Sequence, residues 1–306
     1  MERMSLTLDD LPGPPVEVPY AAATGHEEGP HLTLVAGVHG AEYTGMAALL
    51  RLISTLDTTR LRGRLTVVPV LNQPAFWSRT PFVVPADGVN LNRSFPGDPA
   101  GEYTAALAHG LFEAFIRPTD VLVDLHAGDL PEALEPFCLY EESAVQERAR
   151  ELALVYGTGH VVRQTRAART VGGSTSAAAA DIGVPAITAE IGSNGICDAA
   201  SVAGHRQGVL NVLASLEMLP ADVAVPVPAP VEHEGWVWVR TPVRGFWQAS
   251  VAVGWAVRTG DVLGVLLDPW GAEVHRVVAP ADGVPLFLTS SPAVDADGLL
   301  LGLARA

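Results

Sequence analysis

Residues 31–45 read HLTLVAGVHGAEYTG, and this stretch decides the local fold. The apolar run over residues 31–38 is typical of a buried β-strand. A helix is predicted over residues 42–56 because apolar side chains recur there at helical spacing. These side chains are Met46, Leu49, Leu50 and Ile53. A buried strand followed by such a helix is the repeating unit of an α/β sheet.

The same alternation continues along the chain. Residues 1–30 are interrupted by Pro and Gly, and we expect edge strands or a lead-in there. Because the later strands are continuously apolar, they predict a mostly parallel or mixed sheet that is covered by helices on both faces. Further strands are predicted at residues 65–71, 121–125, 160–163 and 185–189, and further helices at residues 103–116, 144–156, 174–182 and 199–218.

The composition changes at Leu219, where LPADVAVPVPAP favours an extended connector. Beyond it, short apolar runs are separated by Gly, Pro and Asp, which indicates strands and turns. These runs are WVWV, GFWQASVAV, VLGVLLD, VHRVVAP and GLLLGLA. We therefore predict an α/β domain over residues 1–219, a linker over 220–230 and a small, barrel-like all-β module over 231–306.

The charged residues exclude several classes of function. All 19 basic residues are Arg, and 34 Asp and Glu give a net charge of −15. Without Lys, the chain has no Schiff-base lysine, no P-loop lysine and no site for biotin or lipoate attachment. The negative charge also argues against a nucleic-acid partner, because such a partner requires a basic surface.

The location and assembly of the chain are also predicted from composition. Cys138 and Cys197 have no CxxC partners, and we expect free thiols in a reducing compartment. We expect no signal peptide and no membrane span, and therefore a cytoplasmic protein. Only 17% of the residues are charged, which favours a homo-oligomer that buries apolar surface; a monomeric mass by light scattering would refute this.

Polar residues follow three of the predicted strands where each strand ends. His39 and Glu42 follow the first strand, His126 follows VLVDL, and Glu190 follows PAITA. The carboxyl ends of parallel strands meet at one edge of a sheet, so these side chains are expected to converge. Two imidazoles and one carboxylate suit a catalytic zinc ion with one open position, and Glu190 can accept a proton from the zinc-activated water. Asp124 could orient the imidazole of His126.

A loop-rich segment between the first two groups carries Arg79, Asn92 and Arg93. A guanidinium group binds a carboxylate through two parallel hydrogen bonds, and an amide adds a further donor. Beside a metal site, these residues indicate a substrate that bears a carboxylate.

The motifs GVHGAEYTG, NLNRSFPG, DLHAGD and GVPAITAEIG, in this order, resemble the succinylglutamate desuccinylase/aspartoacylase family of the zinc-carboxypeptidase superfamily. The resemblance covers residues 30–215. It implies a zinc-carboxypeptidase-like fold with one Zn²⁺ per subunit and a C-terminal β-module that caps the active site. It also implies roles for individual residues: zinc ligands at His39, Glu42 and His126, water activation by Glu190, binding of the substrate carboxylate by Asn92 and Arg93, and polarisation of the scissile carbonyl by Arg79.

Two departures from the family pattern concern specificity. The family uses a late Tyr near the substrate, but the last Tyr here is Tyr156. The role of that Tyr is either vacant or taken by another group, and the sequence does not single out Trp247 or His275 for it. The family can also supply a further substrate contact near TVGGSTS. The sequence leaves open which of Arg163, Arg166 and Arg169 makes it.

These features predict a zinc-dependent hydrolase that cleaves the amide bond of a small N-acylated amino acid or a related carboxylate-bearing compound. A metallocarboxypeptidase that acts on short peptides is the alternative, although it requires an open groove. A non-catalytic ligand-binding protein with this fold is a third hypothesis, which the complete set of metal and base positions disfavours.

Overall fold

The structure is a computed structural model that describes residues 1–165 and 172–305. In this part of the chain, one sheet has nine strands in the order β1-β2-β4-β3-β5-β9-β7-β8-β10. The first ten strands, of which β6 lies in another sheet, are β1 (Glu2–Leu8), β2 (Val16–Thr24), β3 (Glu27–Ala36), β4 (Arg62–Val68), β5 (Val121–His126), β6 (Glu132–Leu134), β7 (Phe137–Glu141), β8 (His160–Gln164), β9 (Ala186–Glu190) and β10 (Val231–His233).

The nine-stranded sheet is mixed. Strands β4, β3, β5 and β9 run parallel to one another, as do β7, β8 and β10. Strands β1, β2 and β4 pair antiparallel, and β7 runs antiparallel to β9. The predicted mostly parallel or mixed sheet is confirmed, and the first 24 residues supply its antiparallel edge.

Helices cover both faces of this sheet, as predicted. Consecutive side chains of β3 point in opposite directions, so Leu34 packs in one core with Leu49 and Leu213, whereas Val35 packs in another with Leu107. The predicted helix over residues 103–116 is interrupted, because its last turn, Phe112–Ile116, is π-helical. The α-helices are α1 (Tyr43–Thr55), α2 (Gln73–Ser78), α3 (Tyr103–Leu111), α4 (Gln146–Tyr156), α5 (Thr175–Asp181) and α6 (Ala199–Ser215).

The C-terminal β-region, residues 236–305, consists of antiparallel strands, as the sequence predicted. They lie in two four-stranded sheets, β11-β17-β15-β6 and β14-β13-β12-β16. The strands are β11 (Trp236–Arg240), β12 (Gly245–Ala249), β13 (Val262–Leu267), β14 (Glu273–Val278), β15 (Val284–Thr289), β16 (Ala293–Val294) and β17 (Leu299–Ala304).

Two short strands cross the predicted domain limits. Strand β10 pairs in parallel with β8, so residues 231–233 belong to the large sheet, although the sequence placed them in the all-β module. Strand β6 pairs antiparallel with β15 and adds residues 132–134 to the C-terminal β-region. Each strand has three residues, too few to show a periodic pattern.

No helix in the described ranges is long and apolar enough to cross a membrane.

Candidate active site

The carboxyl ends of β3, β5 and β9 open into one cavity of about 270 Å³. His39 and Glu42 follow β3, while His126 and Glu190 are the last residues of β5 and β9. All four line this cavity, and the register places His126 directly opposite Glu190. The convergence expected from parallel strands is therefore present.

The carboxylate of Glu42 lies between two imidazoles. Its Oε1 is 2.6 Å from Nδ1 of His39, and its Oε2 is 2.7 Å from Nδ1 of His126. Glu42 is the N-cap residue of α1, but its side chain makes no capping hydrogen bond and so remains available to the site. Burial alone raises the pKa of Glu42, but the charges and hydrogen bonds of His39 and His126 hold it at about 2.

The other nitrogen of each imidazole is held by a neighbouring acceptor. Nε2 of His126 donates to Oδ2 of Asp124 at 2.9 Å, as the sequence predicted, and Asp124 also accepts from the hydroxyl of Thr175. Nε2 of His39 lies 3.2 Å from Oδ1 of Asn90. Both Nδ1 atoms therefore face Glu42, which is the orientation that metal-binding histidines adopt when the second nitrogen is hydrogen-bonded.

This donor set fits zinc. The ligand atoms of His39, Glu42 and His126 all lie within 4.8 Å of one another. An imidazole lone pair that faces a carboxylate is unfavourable unless a proton or a metal ion lies between them. Burial lowers the pKa of His126, but the carboxylates of Asp124 and Glu42 outweigh burial and raise the pKa well above its usual value. The two imidazoles and the carboxylate therefore suit a bound cation.

Glu190 has the environment of a general base. Its side chain is partly buried, and the enclosed atom Oε2 has no hydrogen-bond partner in the described residues. Burial raises the pKa of Glu190 well above its usual value. A carboxyl group of higher pKa accepts a proton more readily, and this one shares the cavity with the three ligand side chains.

Asn92 and Arg93 line the same cavity on a short 3₁₀ turn. Oδ1 of Asn92 accepts from the backbone N–H of Thr175 at 3.1 Å, and Nη1 of Arg93 donates to the carbonyl oxygen of Asn92 at 2.7 Å. Burial lowers the pKa of Arg93, a guanidinium group that nearby carboxylates stabilise. These contacts leave the guanidinium able to meet an anionic group in the cavity.

The other predicted arginines lie elsewhere. Arg79 is exposed at the C-cap of α2 with φ 56°, and it is not among the described residues that line the cavity. Arg163 pairs with Glu234 at 2.9 Å and with Glu142 at 3.2 Å, whereas the next residue, Gln164, lines the cavity. Side chains alternate along β8, so the two cannot face the same side. Arg166 and Arg169 lie outside the described residues.

Neither Trp247 nor His275 is among the described residues that line the cavity, so neither takes the place of the family's late Tyr there. Trp247 is buried in the core of the C-terminal β-region, where its indole N–H donates to the carbonyl oxygen of Thr289 at 3.1 Å. His275 lies on β14, in the same sheet as Trp247 and outside the described cavity lining.

The C-terminal β-region contributes to the cavity wall, in keeping with the predicted capping role, but the residues that form this wall were not identified from the sequence. Trp236 and Trp238 stack with ring centroids 4.9 Å apart, and both line the cavity with Phe287 and Leu299. A Trp pair two residues apart on a strand is a usable signal for one face of a sheet. Combined with the predicted capping role, this Trp pair could have identified the face of the β-module that lines the cavity.

A second carboxylate was also missed. Glu132 lines the cavity, and its Oε2 accepts from the backbone N–H of Asp129 at 3.0 Å. Burial, reinforced by the negative charge of Glu42, raises the pKa of Glu132 to about 8. A single Glu at the start of a three-residue strand gives no signal in the sequence, because its position at the cavity depends on β6 pairing with a distant strand.

Comparisons with known proteins agree with this geometry. The sequence model described as "Succinylglutamate desuccinylase/Aspartoacylase catalytic domain" matches residues 28–216. The chain is 31% identical over 267 residues to N-alpha-acetyl-L-2,4-diaminobutyric acid deacetylase of Halomonas elongata, covering 84% of this chain and 77% of that protein.

Solved structures share the fold. The product-bound ectoine utilization protein EutE (DoeB) from Ruegeria pomeroyi superposes with a TM-score of 0.87 at 24% identity, covering 99% of this chain and 94% of that one. A succinylglutamate desuccinylase from Silicibacter sp. TM1040 has a TM-score of 0.84 at 25% identity, covering 99% and 93%. The catalytic-domain model and the Halomonas relative confirm the predicted resemblance. The chain belongs to the succinylglutamate desuccinylase/aspartoacylase family.

Proposed function

We propose that this protein is a zinc-dependent hydrolase that cleaves the amide bond of a small N-acylated amino acid or a related carboxylate-bearing compound. The observation that carries the proposal is the pairing of Glu42 with two inward-facing imidazoles beside the unpartnered carboxylate of Glu190. The names of the relatives, which include a deacetylase and desuccinylases, support amide hydrolysis.

His39, Glu42 and His126 would hold the metal ion. Zinc, when bound, supplies positive charge that acidifies a water molecule and stabilises negative charge on the substrate carbonyl oxygen. Asp124 fixes the tautomer of His126 and so keeps Nδ1 directed at the ligand position.

Glu190 moves the proton. Its carboxylate takes a proton from the attacking water and passes it to the nitrogen of the leaving amine when the amide bond breaks. Partial removal of Glu190 from water raises the pKa of its carboxyl group and so its affinity for that proton.

Arg93 and Asn92 would bind the substrate carboxylate. Arg93 is the one arginine in the described cavity lining, and it lies in the same cavity as the ligand residues. Because Arg93 lines the cavity and Arg79 is not among the described residues that do, we assign carboxylate recognition to Arg93 and Asn92 and leave polarisation of the carbonyl by Arg79 as a prediction of the resemblance.

Within this substrate class, Glu132 favours an N-acylated amino acid that carries a second amino group. The carboxylate faces the cavity without an ion pair in the described residues, and an ammonium group there would stabilise its charged form. The Halomonas relative is named for 2,4-diaminobutyric acid, which has a second amine. The two observations are independent and support the same substrate class.

The two other hypotheses fit less well. A carboxypeptidase needs room for a peptide chain, but Trp236, Trp238 and Phe287 wall the cavity. A non-catalytic binding protein has no need of an enclosed carboxylate oxygen that lacks a hydrogen-bond partner in the described residues and lies beside three side chains able to hold a metal ion.

A substrate panel on the zinc-loaded enzyme tests the proposal. It compares N-acetyl-2,4-diaminobutyrate with its neutral analogue N-acetylnorvaline, with N-acetylaspartate and with unacylated dipeptides, and it varies the acyl chain separately. We expect hydrolysis of the acetylated amino acids, with kcat/KM at least about tenfold higher for the diamino compound than for the neutral one. Preferential cleavage of dipeptides would establish the carboxypeptidase instead, and no hydrolysis of any compound would refute both.

A further inference from the structure

His205, on α6, ties together the ends of the two strands that carry His126 and Glu190. The side chain is fully buried, and its Nε2 lies 3.0 Å from the carbonyl oxygen of His126 and 3.1 Å from that of Ile191. Carbonyl oxygens only accept hydrogen bonds, so Nε2 carries the proton and donates to both.

Tyr156, on α4, stabilises this tautomer through the other ring nitrogen of His205. Its hydroxyl lies 2.9 Å from Nδ1 of His205, which must be the acceptor because Nε2 holds the ring proton of the neutral imidazole. Gly208, one helical turn beyond His205, leaves room for the ring of Tyr156: a Cβ atom there would lie 2.4 Å from Cε1. The phenol, the imidazole and the two carbonyl groups thus form one buried chain of hydrogen bonds.

The carbonyl group of Ile191 is shared with a third segment. It also accepts from the hydroxyl of Thr44 at 2.7 Å, and Thr44 lies two residues after Glu42. The backbone N–H of Ile191 donates to the carbonyl oxygen of His126 at 3.1 Å. Each carbonyl therefore keeps a partner without His205. What His205 adds is a side-chain link that bridges the two strand ends beside this backbone hydrogen bond.

We propose that His205, supported by Tyr156, is a positioning residue that sets the spacing between the metal-ligand end of β5 and the general-base end of β9. The inference rests on the proposed function, because it assigns His126 and Glu190 those two roles. His205 is not among the described residues that line the cavity. It acts through the backbone of the residues that do.

The test compares His205→Leu, which removes the donor, with His205→Gln, whose amide nitrogen can occupy the position of Nε2. Asn211→Leu is the matched control: Asn211 is also buried on α6, and its side chain bonds the backbone of Val155 and Val225 away from the cavity. The measurements are zinc affinity by chelator competition, kcat and KM at saturating zinc, and amide hydrogen exchange of residues 186–195 in the metal-free protein.

We expect His205→Leu to weaken zinc binding by about 10- to 100-fold, as loss of outer-shell partners does, and to lower kcat with little change in KM. Exchange of residues 186–195 should accelerate. His205→Gln should recover most of the zinc affinity and of kcat. Asn211→Leu should lower the melting temperature but leave zinc affinity, kcat and exchange at residues 186–195 unchanged.

A folded His205→Leu protein with wild-type zinc affinity, kcat and exchange would overturn the inference. If His205→Leu fails to fold, Tyr156→Phe takes its place, because it removes the hydroxyl group that stabilises the tautomer of His205. This variant should also accelerate amide exchange at residues 186–195. Unchanged exchange would again overturn the inference. The proposed function fails separately, if the wild-type protein neither binds zinc nor hydrolyses the substrate panel. The exchange measurement needs neither zinc nor substrate.

Discussion

At the scale of single residues, the raised pKa of Glu132 predicts that the stability of the protein depends on pH. Its pKa is raised to about 8 from an ordinary value of 4.5 because it is buried. Between these two values the folded protein binds more protons than the unfolded chain, so stability falls as the pH rises. The contribution is fully present below about pH 4.5 and is lost as the pH rises through 8.

Denaturant unfolding of the metal-free protein from pH 5 to pH 9 would measure this effect. In the wild type, Glu132 should make the free energy of unfolding fall by up to about 1.4 kcal/mol for each pH unit, and Glu132→Gln should remove this fall. The variant should therefore be more stable than the wild type at pH 9. Glu28→Gln, at an exposed carboxylate, is the control and should follow the wild type. If the unfolding free energy of Glu132→Gln changed with pH in parallel with that of the wild type, the account would be contradicted.

The residues that could be predicted from sequence are those fixed by strand ends. His39, His126 and Glu190 were found because parallel strands bring their carboxyl ends together, whatever the details of packing. Arg79 and Arg163 are placed by a short helix and by side-chain alternation in a strand, and neither lines the cavity. A shift of one residue reverses the direction of a side chain on a strand, and sequence patterns do not fix boundaries that closely.

At the scale of elements, the stacked pair of Trp236 and Trp238 depends on Gly302. Strand β17 pairs with β11, and Gly302 lies opposite Trp238. A Cβ atom at residue 302 would lie 2.7 Å from Cζ3 of Trp238 and 3.2 Å from the ring of Trp236. The side chain of either Trp would have to move, and both form part of the cavity wall.

Gly302→Ala should therefore destabilise the protein by about 1–3 kcal/mol, the usual cost of overpacking, and should raise KM for the substrate. Thermal unfolding and steady-state kinetics measure the two effects. Gly159→Ala is the matched control, because a Cβ atom there meets nothing within 4 Å, and it should change neither quantity. An unaltered melting temperature and KM in Gly302→Ala would show that the Trp pair is not held in this way.

Among the elements, most strands of five or more residues were predicted, whereas β7, the short strands β6 and β10 and the interrupted β15 were missed. Strands β6 and β10 have three residues each, and β15 contains Pro285, next to a shift in its register with β17. Such strands are defined by the partner that they pair with, and a single sequence does not reveal that partner. The missed β6 and β15 pair with each other and bring Glu132 and Phe287 to the cavity.

At the scale of the whole molecule, the α/β part and the C-terminal β-region share a core. Leu134, Phe137 and Val162 pack with Trp236 and Leu286 in one buried cluster. The pairing of β6 with β15 and the pairing of β10 with β8 also cross between the two parts. We therefore expect the two parts to unfold together rather than as separate domains.

Calorimetry should accordingly show a single cooperative transition, with equal calorimetric and van't Hoff enthalpies. A chain that ends at residue 230 would leave the apolar faces of Leu134, Phe137 and Val162 uncovered, and it should aggregate or unfold at a lower temperature. Two resolved transitions would show that the parts are independent domains. The homo-oligomer predicted from composition stays a prediction.

The central claim is that His39, Glu42 and His126 hold zinc and that Glu190 moves the proton. The most direct measurement is zinc content and turnover of Glu190→Gln beside His39→Ala. We predict that Glu190→Gln retains one zinc per chain but loses turnover by about two to four orders of magnitude, since general-base catalysis contributes that much, whereas His39→Ala loses the metal. A Glu190→Gln protein with near-normal hydrolysis, or a His39→Ala protein with full zinc content, would contradict the account.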